Sequence, residues 1–341
     1  MNDYIYFLIC LLTMYFFVYL NNKKVFEFLV KQKINQTHGI NVNELPKAGG
    51  ILIIFFLLLN LDFYNQKFIY IFYIFCLTIV GLLGDLKKEI KYIFKLLILF
   101  ILLTSFLILN EEYIISQFQI YYIQSLIFSN LYFSFSFTLI CLTVYLIGIN
   151  FIDGINGNVF AYSLYLIFSI LFFFNDYNIE IINIIIIPLI GYFFLNSIIS
   201  KFFLGDNGCY LLGFIFATSL IILNNNMNGE ASFKMGLLAF YPAFEVFFSI
   251  FRKIFSKKSP FKPDNLHLHS LLLKKINKYL LFSQNLNHLM ASLIMFFVFH
   301  LPTMIIIFFV NDLKFLGFYY IIFSINYLVF YLYLYKSVDI K

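Results

Sequence analysis

The chain has 341 residues, of which 62% are hydrophobic and only 12% charged, and its formal net charge is +6. Soluble globular domains usually carry about 25% charged residues. This composition therefore excludes an ordinary soluble domain and predicts a multi-pass membrane protein. The four cysteines stand singly along the chain, which predicts neither a disulfide framework nor a zinc site.

Eleven apolar windows follow one another along the chain, and most approach the roughly 20 residues that a helix needs to cross a bilayer. They lie at about 4–21, 48–62, 68–84, 93–110, 131–149, 159–174, 181–199, 209–224, 235–251, 289–310 and 315–335. The first window has no basic N-terminal region and no cleavage site, so it is expected to be a retained span. The moderately apolar region 113–129 is expected to stay on one face. The sequence thus predicts an all-α bundle of ten or eleven transmembrane helices.

Basic residues are distributed unevenly between the two sets of alternating connections. Of the 23 Lys and Arg residues, only Lys67, Lys234 and Lys314 fall in one set, and all the others fall in the second. Because cytoplasmic loops are enriched in Lys and Arg, the N-terminus is predicted outside and the C-terminus in the cytoplasm. The positive net charge is then a property of the cytoplasmic face, and it gives no reason to expect nucleic-acid binding.

Polar residues gather in five short segments, all of them predicted on the cytoplasmic face. They are NELPKAGG (43–50), VGLLGDLKKE (80–89), NFIDGINGN (150–158), LGDNGCYLLGF (204–214) and KPDNLHLHS (262–270). Asp85, Asp153 and Asp206 each follow an apolar run and adjoin a glycine. A carboxylate near the membrane boundary is costly unless it is hydrated, paired or metal-bound. Three such carboxylates beside lysines suit Mg²⁺, which leaves much of its coordination shell to water and substrate phosphates.

Simpler interpretations exist for these segments. A single Asp-Gly at a helix end is often a cap or turn, and Asn150 and Asn156 could be turn residues alone. His267 and His269 resemble a metal pair, but the sequence offers no third ligand nearby, so contact with phosphate or sugar is favoured over zinc. A transporter would also bury carboxylates, although near the bilayer midplane and with internal repeats.

In six ordered segments the chain resembles the polyprenyl-phosphate N-acetylhexosamine-1-phosphate transferases. The segments are PKAGG, GLLGD, NFIDGING, LGDNGCYLLGF, YPAFEVFFSIFRK and PDNLHLHSLL, within about residues 38–275. This superfamily includes the phospho-MurNAc-pentapeptide transferase and the GlcNAc-1-phosphate transferases. The HLHS variant and the YPAFE run resemble the branch that starts O-antigen, capsule or related glycan assembly.

The resemblance implies a bacterial inner-membrane enzyme that transfers an N-acetylhexosamine-1-phosphate from a UDP-sugar to undecaprenyl phosphate and releases UMP. Mg²⁺, or Mn²⁺ in its place, is implied as the cofactor, and a homodimer would be in keeping with relatives. One transferase domain is expected over 1–341, with an active site of cytoplasmic loops at about 22–47, 85–92, 150–158, 200–208 and 252–288. No residue can be assigned to the choice among N-acetylhexosamines.

Site residues are carried over position by position from the same resemblance. Asp85, Asp153 and Asp206 are expected to be catalytic, and Asp206 and Asp85 to hold the metal. The residues expected to bind substrate are Lys47, Asn150, Asn156, Arg252, Asp264, His267 and His269.

Two departures from the family pattern raise the alternative of a catalytically silent homologue. Gly84 stands where the family usually has the first of two aspartates, and Asn156 stands where it often has another. The second pKa of a phosphate monoester is about 6, so a lipid phosphate is largely deprotonated near neutral pH. Because the attacking oxygen then needs no strong base, an active enzyme is predicted.

Overall fold

The computed structural model describes residues 12–13, 15–16, 18–20, 46–60, 68–86, 92–173, 180–198, 202–260, 262, 264–279 and 283–338. Within these ranges the chain is helical, apart from turns, loops and one parallel backbone bridge between Lys47 and Phe203. The predicted all-α fold is confirmed. Most of the first predicted span and most of the predicted loop at 22–47 lie outside the described residues.

The helices follow the predicted windows closely. They are α1 Gly49–Asn60, α2 Phe68–Leu86, α3 Tyr92–Leu109, α4 Leu131–Ile152, α5 Asn158–Phe173, α6 Glu180–Phe193, α7 Gly205–Asn226, α8 Ser232–Phe255, α9 Leu268–Tyr279, α10 Gln284–Met295, α11 Leu301–Phe309 and α12 Leu313–Ser337. Single π turns, Phe194–Ile198 and Phe296–His300, continue α6 and α10. Across the described ranges, seven helical segments are long and apolar enough to cross a membrane, and three shorter apolar helices accompany them. A polytopic membrane bundle follows from these lengths and compositions.

Two boundaries differ from the sequence prediction. The expected loop at 200–208 is interrupted because α7 already begins at Gly205, so Asp206 lies in the first helical turn. The polar GDNG run lowers the local hydropathy and hides this helix start. The expected loop at 252–288 contains α9, whose buried residues include Leu268, Leu272 and Ile276. A helix with one apolar face is invisible to a search for fully apolar spans.

Helix α7 is the centre of the bundle, with 89% of its apolar window buried inside the protein. It packs against α1, α2 and α4. Gly81 of α2 allows α2 and α7 to cross at close range, because a Cβ there would stand 2.6 Å from the backbone carbonyl carbon of Asp206. Small residues at such crossings let helix backbones approach in a membrane, where apolar burial alone cannot drive association.

The alternating course of the helices brings the polar segments to one end of the bundle. Asp85 lies near the end of α2, and Asn150 lies near the end of α4. Lys95 and Asp206 lie in the first turns of α3 and α7, which run the opposite way. The connection 110–130 packs at the other end, where the Asn225 side chain donates to the carbonyl of Ile114 at 2.7 Å.

Candidate active site

Asp85 is held where the end of α2 meets the start of α7. Its Oδ2 accepts hydrogen bonds from the backbone N–H of Asn207 at 3.2 Å and from the Asn207 side-chain Nδ2 at 2.7 Å. The Lys47 ammonium lies 3.1 Å from the other oxygen, Oδ1. Gly205 adopts φ +73°, and a Cβ there would stand 2.6 Å from Asp85 Oδ2, so glycine is required at this close approach.

Asp206 is shared by two further helices. The Lys95 ammonium of α3 forms an ion pair with Oδ2, and Nδ2 of Asn150 donates to Oδ1 at 2.6 Å. The side chains of Lys95 and Asp206 are 13% and 18% exposed, so this pair can be reached from solvent. The first turn of a helix is a favourable position for a carboxylate because the helix dipole is positive there.

Lys47 is positioned by the bridge that precedes α1. The backbone N–H of Gly49 donates to the Phe203 carbonyl at 3.0 Å, and the N–H of Phe203 donates to the Pro46 carbonyl at 3.0 Å. Although burial alone would lower it, the nearby Asp85 and Asp206 carboxylates hold the pKa of Lys47 above its ordinary value. Lys47 is therefore a fixed cation beside both carboxylates.

Asp153 follows α4 and adjoins this cluster. Burial raises the pKa of Asp153 to about 8, against the opposing effects of a hydrogen bond with the Cys209 thiol and of the Lys47 charge. At neutral pH the carboxyl is largely protonated in the ligand-free protein and can donate a hydrogen bond. The next residue, Gly154, faces the His269 ring, because a Cβ on it would stand 2.8 Å from His269 Cδ2.

His269 is a fully buried histidine in the first turn of α9. Neither of its ring nitrogens has a hydrogen-bond partner among the described residues. Burial lowers the pKa of His269 to about 3, so the ring is neutral at physiological pH. Because buried polar groups are almost always paired, two free ring nitrogens indicate a place that a water or ligand completes.

His267 lies beside it, with the two imidazole rings stacked at a centroid distance of 5.7 Å. Its Nδ1 lies 2.9 Å from Oε1 of Glu245, and its ring also meets the edge of Phe151 at 5.0 Å. Phe151 directly follows Asn150, so the histidine segment reaches the carboxylate cluster through this ring.

Arg252 and Asp264 form a two-point pair that shapes the histidine segment. The Nη1 and Nη2 atoms of Arg252 each donate to Asp264 at 3.0 Å. Although burial alone would raise it, the hydrogen bonds and charge of Arg252 hold the pKa of Asp264 below its ordinary range. In the ligand-free protein Arg252 is therefore engaged with Asp264, and it would have to share its guanidinium to reach a substrate.

Asn156 lies in the turn between α4 and α5 and faces α10. Its backbone N–H donates to Nδ1 of the buried His288 at 3.1 Å, and the N–H of Gly157 donates to Asn196 at 3.1 Å. These contacts hold the shape of the turn. A structural role is thus visible for Asn156, whereas its expected contact with substrate stays a prediction.

Two residues that contact the carboxylates, Lys95 and Asn207, were not predicted from the sequence. Lys95 falls among the basic residues of the cytoplasmic set, and Asn207 lies in the polar segment 204–214. A lysine inside the apolar run YIFKLLILF was an available signal, because such a residue needs a partner. The same signal, an acidic residue inside the apolar YPAFEVFF run, was available for Glu245.

The side chains that could bind a metal ion at this site are carboxylates. Among the described residues, no group of three or more His, Cys, Asp or Glu side chains is arranged around one point. This arrangement does not suit zinc, which takes three or four protein ligands. Oδ1 of Asp85 is paired with the Lys47 ammonium, and Asp206 is partly exposed beside it. Two carboxylates fit Mg²⁺ when phosphate oxygens and water complete its shell.

Comparisons with known proteins show which sequences this chain is similar to. Residues 67–224 match the model of the family described as glycosyl transferase family 4. The chain is 27% identical over 253 residues to an undecaprenyl-phosphate alpha-N-acetylglucosaminyl 1-phosphate transferase of Thermotoga maritima, covering 74% of this chain and 75% of that protein. It is 25% identical over 271 residues to a phospho-N-acetylmuramoyl-pentapeptide-transferase of Dictyoglomus turgidum, covering 77% of this chain and 86% of the relative.

The matched region contains Asp85, Asn150, Asp153 and Asp206, together with the missed Lys95. The match of residues 67–224 to glycosyl transferase family 4, together with the two relatives, therefore confirms the superfamily resemblance carried by the sequence motifs.

Proposed function

We propose that this protein transfers an N-acetylhexosamine-1-phosphate from a UDP-sugar to undecaprenyl phosphate and releases UMP, at the start of a lipid-linked glycan such as O-antigen or capsule. One observation carries the proposal: Asp85 and Asp206, each beside a lysine, converge at one end of an apolar helix bundle. A site at the end of a membrane bundle can meet a water-soluble donor and a lipid acceptor at once. The name of the Thermotoga maritima relative gives undecaprenyl phosphate and a sugar 1-phosphate, and the UDP carrier is implied by the resemblance of the sequence motifs.

In this proposal the donor's pyrophosphate would lie between the carboxylate cluster and the histidine segment. The partly exposed His267 and the single N–H of the neutral His269 ring would donate hydrogen bonds to phosphate oxygens there. Asp153, neutral at physiological pH, would add a hydrogen-bond donor without adding negative charge. Hydrogen bonds from fixed donors stabilise the charge that develops during transfer.

The reaction is a displacement at the β-phosphorus of the donor. An oxygen of the lipid phosphate forms a bond to that phosphorus while the bond to the bridging oxygen breaks, and UMP leaves with the bond's electron pair. Lys47 and Lys95 would place ammonium groups near the transferring phosphoryl group, where charge neutralisation and positioning supply most of the catalysis. Gly84 is tolerated in this scheme because no strong base is required.

Mg²⁺ is the proposed cofactor, with Asp206 and Asp85 as its protein ligands. When bound, it would neutralise phosphate charge and draw electron density from the phosphorus. In the ligand-free protein Lys95 and Lys47 form ion pairs with these carboxylates. If Mg²⁺ took their place at the carboxylates, both ammonium groups would be available to pair with the substrate phosphates.

A transporter is less well supported by the position of the carboxylates. Transporter sites are expected near the bilayer midplane on broken helices, whereas Asp85 and Asp206 lie at helix ends. A silent homologue is the remaining alternative, and it would bind the UDP-sugar without turnover.

The test is UMP release by purified protein in detergent with undecaprenyl phosphate, Mg²⁺ and a panel of UDP-N-acetylhexosamines. We expect lipid-dependent UMP from at least one donor, and a fall of about 10²-fold or more in Asp206→Asn, as for removal of one group that positions a reacting phosphate. Tight donor binding with no UMP from any sugar would support the silent homologue instead.

A further inference from the structure

Glu245 is a buried acidic residue in the membrane segment α8, and none of the roles assigned above uses it. Its side chain is 1% exposed. A carboxylate at such a depth is costly, and it marks a functional position unless it only bridges helices. Two side chains hold it, one from the histidine segment and one from the last helix, α12.

We infer that Glu245 is a positioning residue that sets the orientation of His267 toward the donor's phosphates, with Tyr327 fixing Glu245 in turn. This inference rests on the proposed function, because the phosphate is that of the UDP-sugar. The carboxylate accepts through Oε1 from His267 Nδ1 at 2.9 Å, and through Oε2 from the Tyr327 hydroxyl at 2.5 Å.

The consequence for His267 follows from the chemistry of the imidazole ring. An ionised carboxylate can accept hydrogen bonds but cannot donate them, so Nδ1 of His267 must carry the hydrogen of its contact with Glu245. Nε2 is then the ring atom left to face a ligand, and it donates to a phosphate oxygen when the ring carries a second proton. It lies 3.9 Å from Oδ1 of Asp264, which Arg252 already holds. The side chain of His267 is 12% exposed, so this edge of the ring is open, unlike the fully buried His269.

The neighbouring rings limit any other orientation. The ring of His267 lies between the stacked His269 and the edge of Phe151. A turn about the side-chain axis would break the bond to Glu245 and leave a buried carboxylate with only Tyr327. Orientation of a histidine through the hydrogen bond of its second nitrogen is a general device in catalytic and metal sites.

A merely structural Glu245 would join α8 to α12 and leave His267 unaffected. The two roles are separated by a double-mutant cycle, because coupled residues are not additive. We would measure the dissociation constant of UDP by calorimetry in Mg²⁺ for wild type, Glu245→Gln, His267→Ala and the double variant, with the melting temperature of each.

The expected result is that Glu245→Gln weakens UDP binding about tenfold, the scale of one hydrogen bond to a charged group. In the His267→Ala background the same substitution should change binding by less than about twofold. An equal loss in both backgrounds would overturn the inference. Wild-type protein that neither binds UDP nor releases UMP would instead overturn the proposed function.

Tyr327→Phe repeats the test without touching the carboxylate, in case Glu245→Gln fails to fold. It removes the hydroxyl that donates to Oε2, and we expect a smaller loss of UDP affinity that also disappears in His267→Ala. Tyr331→Phe is the matched control, because Tyr331 lies one turn further along α12 and its buried hydroxyl has no hydrogen-bond partner within the described part of the chain. Tyr331→Phe should bind UDP as wild type does; a Tyr327→Phe protein that also does so would contradict the inference.

Discussion

At the scale of single residues, Gly84 stands where the resembling transferases usually have an aspartate, and the structure gives this glycine a local reason. A Cβ on Gly84 would stand 2.6 Å from Lys95 Nζ and 3.2 Å from Asp206 Oδ2. The Lys95 ammonium thus occupies the space beside Gly84 and pairs with Asp206. The absence of a side chain at position 84 is what gives the Lys95 ammonium room to reach Asp206.

Gly84→Ala is therefore expected to lower turnover by about 10- to 100-fold, because it moves the end of Lys95 away from Asp206 in a site where misplacement by about 1 Å is costly. UMP release under saturating donor measures the effect. Gly317→Ala in α12 is the control, since its Cβ would meet nothing closer than Phe233 at 3.7 Å. Full activity of Gly84→Ala would show that the Lys95–Asp206 pair is dispensable.

Asp153 gives a pH dependence of stability with a definite sign. Its folded-state pKa of about 8 lies above the value of about 3.9 for an unfolded aspartate. Between these values the folded protein keeps a proton that the unfolded chain has lost. The contribution of Asp153 to stability is thus fully present below about pH 4 and is lost as the pH rises through about 8.

The melting temperature of ligand-free wild type, minus that of Asp153→Asn, should fall between pH 5 and pH 8.5. Taking the difference removes the titration of other carboxylates, which both proteins share. A difference that stays constant over this range would show that Asp153 is ionised in the folded protein.

The site shows which residues a single sequence can and cannot identify. Asp85, Asp153 and Asp206 stand out in the sequence because each ends or begins an apolar run beside glycine, and their catalytic roles stay predictions. Lys95 and Asn207 were missed because their importance depends on which helices are neighbours. Lys95 reaches Asp206 across 111 residues of sequence, a distance over which no motif spacing carries information.

At the scale of elements, the crossing of α2 and α7 holds the two carboxylates together. Gly81 lies one turn before Asp85, and its neighbours in α7 are the backbone atoms of Asp206 and Asn207. Backbone atoms cannot move aside as the end of the Lys95 side chain can at Gly84. The two helices would therefore have to separate to make room for a methyl group at position 81.

Gly81→Ala should therefore cost about 1–3 kcal/mol of stability, as overpacking does, and lower the melting temperature by several degrees. Activity should fall with it, because Asp85 and Asp206 lie on the two separated helices. Thermal unfolding in detergent measures the shift, again beside Gly317→Ala. A Gly81→Ala protein with unchanged melting temperature would show that the real crossing is looser.

Most helices were predictable, because apolar windows near bilayer length leave few alternatives. The short helix α9 was not, since its charged face, with Lys274, Lys275 and Lys278, gave the segment the hydropathy of a loop. The start of α7 was hidden for a related reason. Helix ends that carry active-site polarity are the places where a hydropathy pattern fails.

At the scale of the whole molecule, the two ends of the bundle are chemically different. Lys257 lies beyond α8 at the end that carries the site, and Glu111 follows α3 at the opposite end. Both side chains are exposed. The distribution of basic residues predicts that the site end faces the cytoplasm.

This orientation can be tested with a membrane-impermeant maleimide on whole cells. Glu111→Cys should be labelled on intact cells, whereas Lys257→Cys should be labelled only after permeabilisation. The parent protein reports any labelling of its own cysteines. The reverse pattern would place the site outside, where a cytoplasmic UDP-sugar could not reach it.

The central claim concerns which bond of the donor is broken. A UDP-N-acetylhexosamine labelled with ³²P in its β-phosphate, incubated with undecaprenyl phosphate, Mg²⁺ and the purified protein, answers this directly. The account predicts that the label enters the lipid product while unlabelled UMP is released, and that Asp206→Asn suppresses both. Label recovered in free UDP, with the sugar alone on the lipid, would mean glycosyl transfer and would contradict the account.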